Sequence, residues 1–191
     1  MAGSDAGPAK AKLNDNQMKI AVFCAANDHI DPDFFTLTEA FGRWMGEHGH
    51  TLVYGGADRG LMRTIGLAVH NSGGQTIGVI PRILSNRRIP DYLDVDIPCD
   101  NLSDRKDIML AQSDVCVALP GGIGTLDEIF TVAGSHTIGY HDKRVVLYDM
   151  KGFWQPLIHA LDDLEAKGFV RGHWIDFIQV AGNLDEVKAL L

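Results

Sequence analysis

The sequence predicts a doubly wound α/β domain, a parallel sheet with helices on both faces. Three observations carry this. Short apolar runs alternate with longer amphipathic segments from Lys19 onward. The runs are apolar throughout rather than at every second residue, as expected of strands covered on both sides. Glycine pairs close two of them, Gly55-Gly56 and Gly121-Gly122, and in such sheets ligands bind beyond the carboxyl ends of the strands.

Each element follows from local pattern. Residues 19–25 (Ile20, Val22, Phe23) read as the first strand. Residues 33–48 read as a helix, with Phe34, Leu37, Phe41, Trp44 and Met45 at three-to-four spacing, Asp31 or Asp33 as cap and Gly49 as stop. A strand at 51–54 ends on Gly55-Gly56, and a helix at 60–71 is closed by Ser72-Gly73-Gly74. The third strand, 75–80, stops at Pro81, and 82–102 reads as irregular, rich in arginine, proline and aspartate. A helix at 103–112, a strand at 114–119 and a helix at 125–138 follow. The chain then predicts a strand at 144–148, a helix at 154–167 closed by Gly168, a strand at 177–180 and a helix at 184–191. Residues 1–17 lack a periodic apolar face and read as a flexible leader, so 18–191 form a single domain.

Composition narrows the function classes. At 191 residues the chain is long enough for a proper core, and 46% hydrophobic with 22% charged residues is ordinary for a soluble protein. A net charge of −8 disfavours nucleic acid and anionic membrane as partners but admits a small anion in a locally positive pocket. No apolar stretch approaches the roughly 20 residues of a membrane span. Cys24, Cys99 and Cys116 are odd in number and well separated, which suits free thiols in a reducing compartment. The expected location is the cytoplasm.

The most informative run is Leu119-Pro120-Gly121-Gly122-Ile123-Gly124-Thr125-Leu126-Asp127-Glu128, between a buried strand and a helix. Glycines let backbone N–H groups approach a phosphate, and a helix N-terminus favours its charge. A carboxylate in the first turn would then stand beside the bound group. Thr125-x-x-Glu128 also fits a capping box, in which Thr125 caps the helix and Glu128 reaches back to the backbone.

Two further motifs stand upstream in order: Tyr54-Gly55-Gly56-x-x-x-Gly60-Leu61-Met62 and Asp104-Arg105-Lys106-x-x-Met109. With Pro120-Gly121-Gly122-x-Gly124-Thr125-x-x-Glu128 they resemble the Lonely Guy family of nucleoside-5′-monophosphate phosphoribohydrolases, many of which carry the label "possible lysine decarboxylase". The resemblance runs from Lys19 to Leu191 and includes Gly78-Val79-Ile80-Pro81 and Gly139-x-His141-x-Lys143. It implies a Rossmann-like fold that hydrolyses the N-glycosidic bond of AMP or a cytokinin riboside monophosphate, without a cofactor, as a homodimer or larger assembly. By the same resemblance Arg105 and Glu128 are the catalytic pair, and Gly121, Gly122, Gly124 and Thr125 hold the 5′-phosphate. Gly55, Gly56 and Lys106 complete the expected substrate-binding set, with no metal. The chemistry agrees, since a fixed carboxylate can stabilise a ribosyl cation or activate water, and a guanidinium can pair with phosphate or a base edge. Apolar residues on the helices after the second and fourth strands (Leu61, Ile65, Ile129, Val132) lend the dimer weak support.

The sequence also departs from the family pattern at Ala25-Ala26, Ala57, Arg63, Leu102-Ser103 and Ser135-His136-Thr137, which leaves the choice of base open. Glu47-His48-Gly49-His50 reads as a helix end rather than a metal site, and His136 and His141 as structural. Lys143 would serve a decarboxylase only with a pyridoxal-phosphate motif that the sequence does not show. The competing function is a non-catalytic binder of a phosphorylated ligand, like a molybdenum-cofactor carrier or a nucleotide sensor.

Overall fold

A computed structural model describes residues 17–84 and 89–191. The proposed leader therefore falls, apart from Gln17, outside the described residues. Among those described, seven strands form one parallel sheet in the order β4-β3-β2-β1-β5-β6-β7. The strands are β1 (Lys19–Phe23), β2 (Thr51–Tyr54), β3 (Gln75–Pro81), β4 (Val95–Cys99), β5 (Val115–Ala118), β6 (Val145–Tyr148) and β7 (Ile178–Ala181). The helices are α1 (Pro32–Glu47), α2 (Gly60–Asn71), α3 (Leu102–Ala111), α4 (Ile123–Thr137), α5 (Gln155–Ala166) and α6 (Leu184–Leu190). The strand order reverses between β1 and β5, the switch point at which open α/β sheets bind ligands.

Two cores confirm that both faces are covered. Ile20 and Val22 of β1 join Phe41, Met45, Ile65, Val69 and Val187 from α1, α2 and α6. Ala21 and Phe23, one residue out of phase, join Met109, Ile129, Val132 and Leu161 from α3, α4 and α5. Period-two side-chain alternation thus feeds two apolar layers from one strand. Leu61, Ile65, Ile129 and Val132 are all buried in these cores. They are spent within the chain and lend no support to a subunit interface.

Most predicted elements recur with ends moved by one or two residues. Asp31, not Asp33, caps α1: its Oδ1 accepts from Asp33 N at 3.0 Å, and Pro32 follows at the first helical position. Two corrections bear on the site. The segment 82–102 is not irregular throughout, because it contains β4. That strand is a half-exposed edge carrying Pro98, and an edge tolerates the proline and aspartate that masked it in the sequence. The helix after β5 begins at Ile123 rather than Thr125, which changes the reading of Glu128.

Candidate active site

The turn from β5 into α4 is stitched to the exit of β1. Leu119 N donates to Phe23 O at 2.9 Å and Ala25 N to Pro120 O at 3.0 Å. Gly122 is the N-cap of α4, and no described side chain caps the helix. Thr125 is therefore the third helical residue and Glu128 the sixth, in the second turn. The capping box is not formed, because its threonine would have to stand outside the helix. Instead Thr125 is 3% exposed and fills the inside of the turn. A Cβ at Gly121 would collide with its Oγ1, whereas Cβ atoms at Gly122 and Gly124 would meet no described residue within 4 Å. The first intrahelical bond is Leu126 N to Gly122 O at 3.0 Å, so the preceding N–H groups have no helical acceptor and border open space. Open N–H groups at a helix N-terminus are the geometry that an anion cradle requires.

The second glycine turn differs. At the start of α2, Gly60 N donates to Asp28 Oδ1 at 2.8 Å and Leu61 N to Ala25 O at 2.9 Å. The chain's own carboxylate fills that N-terminus, leaving α4 as the open one of the two. Gly55 and Gly56 serve a different purpose, as the wall of a cavity of about 630 Å³.

Arg105 and Lys106 diverge from α3, which Asn101 caps by accepting from Ser103 N and Asp104 N. Arg105 turns toward the sheet, where Nε donates to Val79 O at 2.9 Å and Nη2 to Gly55 O at 2.8 Å. Pairing between β2 and β3 ends at Tyr54 with Gly78, so these carbonyls lie just where the strands part. The guanidinium closes that gap. Lys106 turns the other way, and its Nζ lies 2.7 Å from Asp127 Oδ1 on α4.

Glu128 is 7% exposed, and among the described residues none donates a hydrogen bond to its carboxylate. Burial pushes its pKa up to about 7, against the opposing charge of Arg105; Asp127 adds to the rise and Lys106 offsets it. The Cys24 thiol beside it is driven well above its ordinary range, first by burial and then by Glu128, so it is an inert filler.

The cavity extends from Arg105 over the ends of β2, β3 and β4, between Met62, Ile80 and Pro98, with Asp58 and Asp96 in its wall. Its size falls in the roughly 300–1,000 Å³ range of small-molecule sites. The sequence reading missed both aspartates, since one lies in a turn and the other on the unrecognised β4. The structure thus brings Arg105, Glu128, Gly121, Gly122, Gly124, Thr125 and Lys106 around the switch point, with Gly55 and Gly56 beyond Arg105. The remaining histidines close local structure. His136 Nδ1 bonds Lys143 O and His141 Nδ1 accepts from Lys143 N, both past the far end of α4. His50 Nδ1 accepts from Met18 N, and His48 bonds Trp44 O.

A family model described as possible lysine decarboxylase matches residues 62–191. The chain is 34% identical over 169 residues to the cytokinin riboside 5′-monophosphate phosphoribohydrolase of Mycobacterium marinum, covering 87% of this chain and 89% of that protein. Over the same length it is 35% identical to the Mycobacterium tuberculosis protein of that name, with the same coverage. An Arabidopsis thaliana protein of that name is 33% identical over 153 residues, 80% of this chain and 70% of its own. Among solved structures, the molybdenum-cofactor carrier protein of Chlamydomonas reinhardtii superposes with a TM-score of 0.71 at 24% identity, covering 92% of this chain and 95% of that one. That likeness establishes a common fold.

Proposed function

The chain belongs to the family described as possible lysine decarboxylase, whose relatives at about a third identity bear the name cytokinin riboside 5′-monophosphate phosphoribohydrolase, and on that premise we propose that it hydrolyses the N-glycosidic bond of a nucleoside 5′-monophosphate of the AMP or cytokinin riboside type. The observation that carries this is a buried carboxylate, Glu128, to which no described residue donates, one turn inside the N-terminus of α4. In this reading the phosphate takes the free N–H groups around Gly122 and Gly124. The ribose lies against Glu128, and the base enters the cavity beyond Arg105. The bond from C1′ to the base nitrogen breaks and leaves positive charge on the ribosyl group, which the Glu128 carboxylate stabilises. Water adds at C1′, and its proton leaves through Glu128 toward the departing base. The products are free base and ribose 5-phosphate. Lys143, the lysine a literal decarboxylase would need, has its Nζ on Leu110 O at 2.5 Å.

AMP is expected to be cleaved and adenosine not, because the α4 cradle needs a phosphate to fill it. Chromatography of the reaction mixtures checks this by the appearance of adenine and ribose 5-phosphate. Equal turnover of adenosine would remove the phosphate from the argument, and bound but intact AMP would favour the carrier-like alternative.

Gly124→Ala separates the cradle from the fold. Its Cβ would meet no described residue within 4 Å, and alanine suits a helix better than glycine by up to about 1 kcal/mol. The variant is expected to melt no lower than the parent while KM for AMP rises at least tenfold. A KM unchanged from the parent would show that no phosphate sits there.

The assembly we propose is a homodimer. Ile123, Phe130 and Ile138, on and just past α4, are large apolar side chains left exposed by this chain, an arrangement typical of an interaction face. Light scattering is expected to give twice the 20.9 kDa chain mass, and a monomer at micromolar concentration would refute it. No described helix is long and apolar enough to cross a membrane. The free thiols of Cys24, Cys99 and Cys116 suit the cytoplasm.

A further inference from the structure

The cavity beyond Arg105 holds two carboxylates that glycosidic hydrolysis does not use, and they are built differently. Asp96 stands exposed on the edge strand β4, without an ion pair or hydrogen bond among the described residues. Asp58 is anchored. Its Oδ1 accepts from the Tyr92 hydroxyl at 2.9 Å and lies 3.6 Å from Arg63 Nε. Tyr92 is itself 8% exposed, with its ring against Gly66, where a Cβ would fall 2.7 Å from Tyr92 Cε2. A core-fixed hydroxyl therefore fixes the carboxylate. Burial holds the Tyr92 phenol far above its ordinary pKa, so it remains a donor across the working pH range.

Both contacts engage the same oxygen, leaving Oδ2 as the free acceptor. The described cations of the wall are committed elsewhere. Arg59 faces Asp28, Arg82 faces Asp100, and Arg105 binds two carbonyls. Beside the apolar walls of Met62, Ile80 and Pro98, the polar group that the fold holds in place with an atom left over is thus an acceptor. It matches a flat apolar ring that carries an N–H donor.

We infer that Asp58 is a specificity-determining residue, whose free carboxylate oxygen accepts a hydrogen bond from the exocyclic amino group of the substrate's base. This rests on the proposed reading that the base occupies this cavity. A base without the amino group leaves Oδ2 desolvated and unpaired, which is how a site built to hydrogen-bond one substrate rejects its analogue.

The test compares AMP with purine riboside 5′-monophosphate, which carries hydrogen in place of the amino group, by kcat/KM in the parent, Asp58→Asn, Asp96→Asn and Tyr92→Phe. The parent is expected to favour AMP by about tenfold or more. In Asp58→Asn, Arg63 can only donate, so the amide oxygen stays at the Oδ1 position and the amide NH2 replaces the acceptor. The preference should then disappear, with the loss falling on AMP alone. Tyr92→Phe keeps Asp58 but frees it, and should weaken the preference in the same one-sided way should the asparagine variant fail to fold. Asp96→Asn should keep the preference. Equal losses on both nucleotides, or a preference that survives in both the Asp58 and Tyr92 variants, would overturn the assignment. A parent that cleaves both nucleotides equally also overturns it. A parent that cleaves neither refutes the phosphoribohydrolase reading instead.

Discussion

Glu128→Gln is expected to lower kcat for AMP by about a hundredfold or more, the usual scale for a positioned acid–base group, while gaining stability relative to the parent as pH rises. The activity loss follows from charge. An amide neither stabilises a ribosyl cation nor takes a proton from water. The stability effect follows from burial, since the carboxylate is 7% exposed and no described residue donates to it. Its folded pKa of about 7 lies above its ordinary 4.5, so between those values the native state holds more protons than the unfolded chain. Stability therefore falls as pH rises from about 4.5 to about 7, by on the order of 3 kcal/mol. Glutamine has no such charge to bury. Melting curves of the two proteins should approach one another near pH 4.5 and separate toward pH 8, with the variant gaining. The parent's kcat/KM should show an acid limb near pH 7 that the variant lacks. Wild-type turnover in Glu128→Gln would leave the buried carboxylate without a chemical role.

Gly55→Ala should reproduce the activity loss of Arg105→Ala without touching the arginine. A Cβ at Gly55 would collide with Arg105 Nη2 and come within 3.0 Å of Cζ, so the guanidinium must leave the seat formed by the Gly55 and Val79 carbonyls. We expect kcat/KM for AMP to fall about a hundredfold in both variants, the scale of a positioned electrostatic group. Each variant should also lose about 1–3 kcal/mol, because two charge-assisted hydrogen bonds at the parting of β2 and β3 disappear. Arg105 is thus part of the frame as well as of the site, contrary to a residue that merely lines a pocket. A second readout is electrostatic. Arg105 opposes the rise in the Glu128 pKa, so its removal should move the acid limb of kcat/KM to higher pH. Arg105→Lys keeps a charge but cannot bridge both carbonyls as a planar fork, and should also lose activity. Full activity in Gly55→Ala would mean that the two carbonyl bonds do not set the position that matters.

Much of this protein is determined by local pattern. The runs around Ile20, Leu52, Val117 and Val146 are apolar at every residue, and only a sheet covered on both faces buries them all. The bounds of α2 follow from Gly60 and the Ser72-Gly73-Gly74 stop. The turn proposed as the phosphate cradle is legible because its glycines, strand and helix are consecutive in the chain, so a linear spacing fixes a three-dimensional turn. Other features depend on neighbours remote in sequence. The Thr125–Glu128 spacing fits a capping box equally well, and only the packing of Thr125 against Gly121 starts the helix at Ile123 and moves Glu128 inward. β4 escaped detection because an edge strand buries too little to show an apolar pattern. Nothing near Gly60 marks α2 as closed by Asp28, 32 residues away, nor Gly55 as the seat of Arg105, 50 residues away. The sequence by itself determined the layered fold and the glycine loop between β5 and α4, and its motifs singled out Arg105 and Glu128 as the candidate pair. The tertiary structure alone decided which helix end stays open, how far the charge of Glu128 is removed from water, and which carboxylate of the cavity wall is held by a core tyrosine. Those are properties of burial and long-range contact, and they exist only once the strands are side by side.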